Sequence, residues 1–119
     1  MRKNTICHLE IAAKDSVASS KFYESLFGWN LSSPMGEEYI FFNPETPPGG
    51  GISRVDNIAP GGGIVFYVEV DDIDAYLAKA EKLGGKIVKP QTPIPGFGAY
   101  GQFNDLDGNL IGLFTSAKE

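Results

Sequence analysis

The feature that most constrains this chain is that it repeats itself. Moving the sequence along itself by 57 positions lays Asp15 on Asp72, Ala18 on Ala75, Leu26 on Leu83 and Gly28 on Gly85. These are residues that a helix needs at its start, its middle and its stop, so the repeat marks two copies of one supersecondary unit. In the first copy Thr5 to Ala12 alternates, with Cys7, Leu9 and Ile11 on one face and Ile6, His8, Glu10 and Ala12 on the other. That is the period of a strand. Asp15-Ser16 then caps a helix in which Phe22 with Leu26 and Tyr23 with Phe27 recur at helical spacing before Gly28. Short strands are predicted around Trp29 to Leu31, Glu38 to Phe42 and Gly51 to Arg54.

The second copy opens after Pro60-Gly61-Gly62-Gly63 with Ile64 to Val70 as a strand and Asp71-Asp72 as a helix cap. Ile73, Tyr76, Leu77, Ala80 and Leu83 form an apolar helical stripe that stops at Gly84-Gly85. Lys86 to Lys89, Ala99 to Phe103 and Asn109 to Thr115 read as strands, the last two joined by a turn at Asp107-Gly108. The expectation is one domain over residues 1–119, with modules over about 5–56 and 63–116 and a linker over about 57–62. One helix for four strands leaves one face of each module's sheet uncovered. Two such halves side by side would form a cleft-bearing mixed β-sheet, an α+β fold of two tandem βαβββ modules.

Composition narrows the function. A chain of 119 residues, 42% of them hydrophobic, can fill one core unaided. Its net charge of −5, with the basic residues scattered, opposes nucleic acid as a partner. No stretch approaches a membrane span, and polar residues interrupt the N-terminal segment before it could serve as a secretion signal. A single cysteine, Cys7, excludes an internal disulfide framework. A cytoplasmic protein without a membrane association is expected.

Asp15 followed by Phe22-Tyr23 and Leu26-Phe27-Gly28, together with Val70-Asp71-Asp72-Ile73-Asp74 and Asp105-Leu106-Asp107-Gly108-Asn109, resembles the signatures of the vicinal oxygen chelate superfamily, the glyoxalase, bleomycin resistance and dioxygenase family. The resemblance runs over nearly the whole chain. It implies a divalent metal as cofactor, held by one ligand from the first and last strands of each half, and it implies a homodimer. Here His8 falls at the first-strand ligand position. The second-half equivalent is Val65, and the last-strand position is Gly112 before Leu113, neither of which can coordinate a metal. The first half's last strand, Gly51-Ile52-Ser53-Arg54, has no His, Glu or Gln. One ligand is a poor metal site, since catalytic centres use about three protein ligands and an open position.

By strand alternation, His8, Glu10, Tyr67, Glu69 and Gln102 are the expected polar groups of the ligand-binding surface, with Arg54 beside them. His8, Glu10 and Glu69 are the candidates for acid–base catalysis. Trp29, Tyr39, Phe41, Phe97, Tyr100 and Phe103 supply core and apolar walls. Gly96-Phe97-Gly98-Ala99-Tyr100-Gly101 spells a dinucleotide fingerprint, but prolines precede it and a strand follows, so it reads as a loop entering a strand. Three functions stay open. The first is binding of a small organic molecule without the family's full metal site. The second is a metal-dependent lyase or isomerase like lactoylglutathione lyase, a dioxygenase, or a metal-free catalyst using His8. The third is an accessory subunit acting through its edge strands.

Overall fold

The computed structural model describes residues 3–59, 62–104, 106 and 108–117. The element order among them is β1 (Thr5–Ala13), α1 (Ser16–Phe27), β2 (Asn30–Ser32), a 3-10 turn (Gly36–Glu38), β3 (Tyr39–Asn43), β4 (Gly49–Arg54), β5 (Ile64–Glu69), α2 (Ile73–Lys82), β6 (Lys86–Ile94), β7 (Gly98–Asn104) and β8 (Leu110–Ser116). This is an α+β fold of eight strands in mixed pairing and two helices, with strand, helix and three strands occurring twice. The contacts divide it into two compact units, Cys7–Val65 and Phe66 onward, the latter with the described residues before Cys7. No helix among the described residues is long and apolar enough to cross a membrane.

In the first unit the strand order is β2-β3-β4-β1, with β1 parallel to β4 and the other neighbours antiparallel. Asp15 caps α1 by accepting a hydrogen bond from the Ala18 amide at 3.0 Å, and Gly28 ends the helix at φ 71°. The left-handed conformation there favours glycine. Ala13, Ile40, Phe42 and Ile52 are the buried centre, and Leu9, Ile11, Val17, Tyr23, Trp29 and Leu31 pack around them. Trp29 stacks on Phe42 with centroids 4.6 Å apart. Phe22 and Leu26, paired by helical spacing, are each 60% exposed. Spacing shows that two residues share a stripe; the sheet contact selects the stripe of Val17 and Tyr23.

In the second unit the order is β5-β8-β7-β6, with β5 parallel to β8. Asp72 caps α2 through the Ala75 amide at 3.1 Å. Val70, Ile73, Leu77, Ala99 and Leu113 form the core, flanked by Val68, Tyr76, Ile87 and Phe103. Leu83 lies past the last helical residue and is 69% exposed, on the rim of an open apolar hollow of about 440 Å³ with Tyr76, Ala80, Phe103, Leu106 and Leu113. Strand β6 runs five residues beyond the predicted Lys89, through Pro90 and Pro93 to Ile94. It is the outer strand of this unit, where a proline's missing amide is tolerated, and its register shifts twice against β7. The chain start joins this unit: the Asn4 amide donates to the Glu69 carbonyl at 2.7 Å, and Lys3 pairs with Asp71 at 3.2 Å. Phe97 sits in the turn between β6 and β7, and β7 follows at Gly98 where a dinucleotide site would need a helix. Pro60 and Gly61 of the expected linker, and Asp105 and Asp107 of the second family signature and the turn expected before β8, lie outside the described residues.

Candidate functional site

Strand alternation sets the face of the first unit that lies opposite α1. Leu9, Ile11 and Ala13 go to the α1 side, so His8 and Glu10 go to the other. Ile40 and Phe42 likewise leave Tyr39 and Phe41 on that face, and Ile52 leaves Gly51. The register puts Glu10 opposite Gly51 on β4, and Gly51 opposite Phe41 on β3. Gly51 is what makes the arrangement work. A Cβ there would fall inside the Tyr39 ring, so the missing side chain lets that ring lie across β4. Its hydroxyl thereby reaches His8 Nε2 on β1 at 2.7 Å. The two rings are nearly parallel, 11° apart, and Phe41 stands edge-on to both.

Glu10 lies two residues along β1 from His8, on the same strand face. The imidazole tautomer sets the direction of the His8–Tyr39 bond, with the proton on Nε2 in one and on the phenol in the other. Burial lowers the His8 pKa below its ordinary 6.5, which keeps the imidazole neutral. Burial raises the Glu10 pKa above its ordinary 4.5, and the Tyr39 hydrogen bond offsets part of that rise. His8 and Tyr39 therefore form one hydrogen-bonded pair, with Glu10 on the same half-buried strand face, and together they offer donors and acceptors toward a bound molecule.

The second unit repeats the device with other residues. Tyr67 on β5 pairs with Gly112 on β8, which pairs with Gln102 on β7. A Cβ on Gly112 would again fall inside a tyrosine ring, here that of Tyr67. Gln102 Nε2 donates to the Tyr67 hydroxyl at 2.8 Å across the glycine, and Tyr100 meets Tyr67 edge-on. Tyr67 is only 6% exposed, so its ring fills space as well as offering a hydroxyl. Glu69 accepts from Ser116 Oγ at 2.8 Å. Arg54 is at the exposed end of β4, 2.7 Å from Asp56. Thus His8 and Glu10 are brought together in one unit, Tyr67 and Gln102 in the other, and Arg54 and Glu69 have local partners of their own. The sequence groups Tyr39 with the apolar walls and places Gly51 in a strand without a role in the site. The signal for both was the Gly49-Gly50-Gly51 run inside a strand, which marks close approach of a neighbouring group.

The divalent metal implied by the resemblance does not fit these residues. Among the described residues no three His, Cys, Asp or Glu side chains gather closely enough to hold a metal ion. The last strand of each unit presents a glycine, Gly51 or Gly112, under a tyrosine ring. His8 Nε2 is hydrogen-bonded to Tyr39.

Known proteins match the chain both in sequence and in fold. The chain is 30% identical over 119 residues to a glyoxylase-like domain-containing protein of Didymella fabae, covering 92% of each. It is 28% identical to the putative glyoxylase CFP32 of Mycobacterium bovis, covering 98% of this chain and 48% of that one, so it spans about half of that relative's length. Among solved structures, methylmalonyl-CoA epimerase from Mycobacterium tuberculosis superposes with a TM-score of 0.76 at 16% identity, over 99% of this chain and 93% of that chain. At that identity the likeness concerns the fold. The family model for the Glyoxalase/Bleomycin resistance protein/Dioxygenase superfamily matches residues 5–113, and the chain belongs to that superfamily.

Proposed function

We propose that this protein binds small organic molecules without a metal, with His8, Glu10 and Tyr39 as the ligand-facing groups of one unit and Tyr67 and Gln102 as those of the other. The observation that carries the reading is the 2.7 Å contact between His8 Nε2 and the Tyr39 hydroxyl over Gly51. It puts a phenol beside the one residue matching a family ligand position. Flat aromatic walls with a few convergent hydrogen-bonding groups are the usual makeup of a small-molecule surface. A second reading, a metal-dependent lyase, is favoured by the name of the mycobacterial relative, a putative glyoxylase.

Calorimetric titration of the metal-stripped protein with Ni²⁺, Zn²⁺, Mn²⁺ and anaerobic Fe²⁺, parent against His8→Ala, separates the two. The expected result is no stoichiometric binding, followed by saturable hits in a fragment screen read by amide NMR shifts. Stoichiometric metal binding that disappears in His8→Ala would overturn the proposal in favour of the lyase. An empty fragment screen would overturn ligand binding itself.

A further inference from the structure

Charge on the His8 face is one-sided. Strands β1, β3 and β4 contribute one Lys or Arg among the described residues, Arg54, and it pairs with Asp56 at the exposed strand end. The other ion pair among those residues joins Lys3 to Asp71. Glu10 has no part in either. Its carboxylate is half-buried. Withdrawing a carboxylate from water without an opposite charge is costly, and a cation arriving beside it would offset that cost. The walls suit a cation too. Tyr39 and Phe41 meet at 73° with centroids 5.2 Å apart, forming an angular aromatic corner on β3 with β4 between it and Glu10, and the negative face of an aromatic ring attracts ammonium groups. An anion would meet Glu10 as a like charge in poorly solvated surroundings, and a chain of net charge −5 repels it at long range.

We infer that the β1–β3–β4 face of the first unit takes a small organic ammonium ion, with Glu10 as its counter-charge and the Tyr39 and Phe41 rings as its walls. This rests on the ligand-binding reading above and names the chemical class of its ligand.

The test is an amide NMR titration with three probes of similar size: benzyltrimethylammonium, benzyl alcohol and benzoate. Benzyltrimethylammonium is expected to shift the amides of β1, β3 and β4 saturably, with a Kd about tenfold or more below that of benzyl alcohol. Glu10→Gln, which keeps the shape and removes the charge, is expected to erase that advantage. Tyr39→Phe is expected to keep it, because the ring face remains. Benzyl alcohol or benzoate binding these strands as tightly as the cation would overturn the ammonium assignment while leaving ligand binding intact. An undiminished cation preference in Glu10→Gln would overturn it as well. Silence from all three probes overturns the ammonium assignment, and the fragment screen then decides separately whether the face binds anything.

Discussion

The Tyr39 ring occupies the space in which a Cβ on Gly51 would stand, and this places its hydroxyl 2.7 Å from His8 on the far side of β4. The same relation holds between Tyr67 and Gly112, with Gln102 on the far side of β8. In each unit a glycine in an inner strand lets a tyrosine on one flanking strand bond a polar side chain on the other. The tyrosines come from non-equivalent strands, β3 in one unit and β5 in the other. The shared requirement is the missing side chain between them.

Gly51→Ala should therefore displace the Tyr39 ring and break its contact with His8. An overpacked interior position costs about 1–3 kcal/mol, and urea unfolding of the variant should show a loss in that range. Combining Gly51→Ala with Tyr39→Ala should recover part of it, because the second change removes the obstacle. A double variant no more stable than Gly51→Ala alone would mean that the ring is not what the glycine accommodates.

Tyr67 has two roles that different substitutions separate. Tyr67→Phe keeps the ring over Gly112 and removes the partner of Gln102 Nε2, so a modest loss of about 0.5–1.5 kcal/mol is expected in chemical denaturation. Tyr67→Ala empties a buried position and should cost about 3–5 kcal/mol, as large-to-small core substitutions of aromatics do. Equal losses from the two would show that the hydroxyl, and not the ring, supports this face. For ligand studies Tyr67→Phe is the variant to use.

His8 and Glu10 act on stability in opposite directions along pH. Burial lowers the folded pKa of His8 below 6.5, so the unfolded chain binds the proton more readily. Its contribution is fully present above 6.5 and is lost as pH falls below that value through the folded pKa. Glu10 has a folded pKa raised above 4.5, so the folded chain keeps its proton longer. Its contribution is greatest below 4.5 and is lost as pH rises through the folded pKa. Glu10→Gln should consequently be more stable than the parent at neutral pH, by a margin that shrinks to nothing below pH 4.5. Urea midpoints measured across that range check it; a margin that does not change with pH would remove burial of the carboxylate as its cause.

The sequence alone determined the parts that depend on local chemistry. Asp15 and Asp72 are read as caps because a carboxylate before a helix can take a free amide, and both do so. Gly28 is read as a stop because the left-handed turn favours glycine. Alternation along β1 sorts His8 and Glu10 from Leu9 and Ile11 without knowledge of any neighbour. The 57-residue offset shows the repeat, and the signatures show the superfamily.

What only the tertiary structure decided depends on pairing between strands distant in sequence. Tyr39 is 31 residues from His8, and Tyr67 is 35 from Gln102. Nothing local to these residues announces the bond. A glycine inside a strand says that something comes close; only the register of β3 on β4 and of β5 on β8 says which ring it is. The same reason governs α1, where Phe22, Leu26, Val17 and Tyr23 are all apolar or aromatic, and the sheet's position decides which of them are covered. Side-chain identity and period belong to the chain as a line, whereas the filling of a gap by a distant ring belongs to the packed strands.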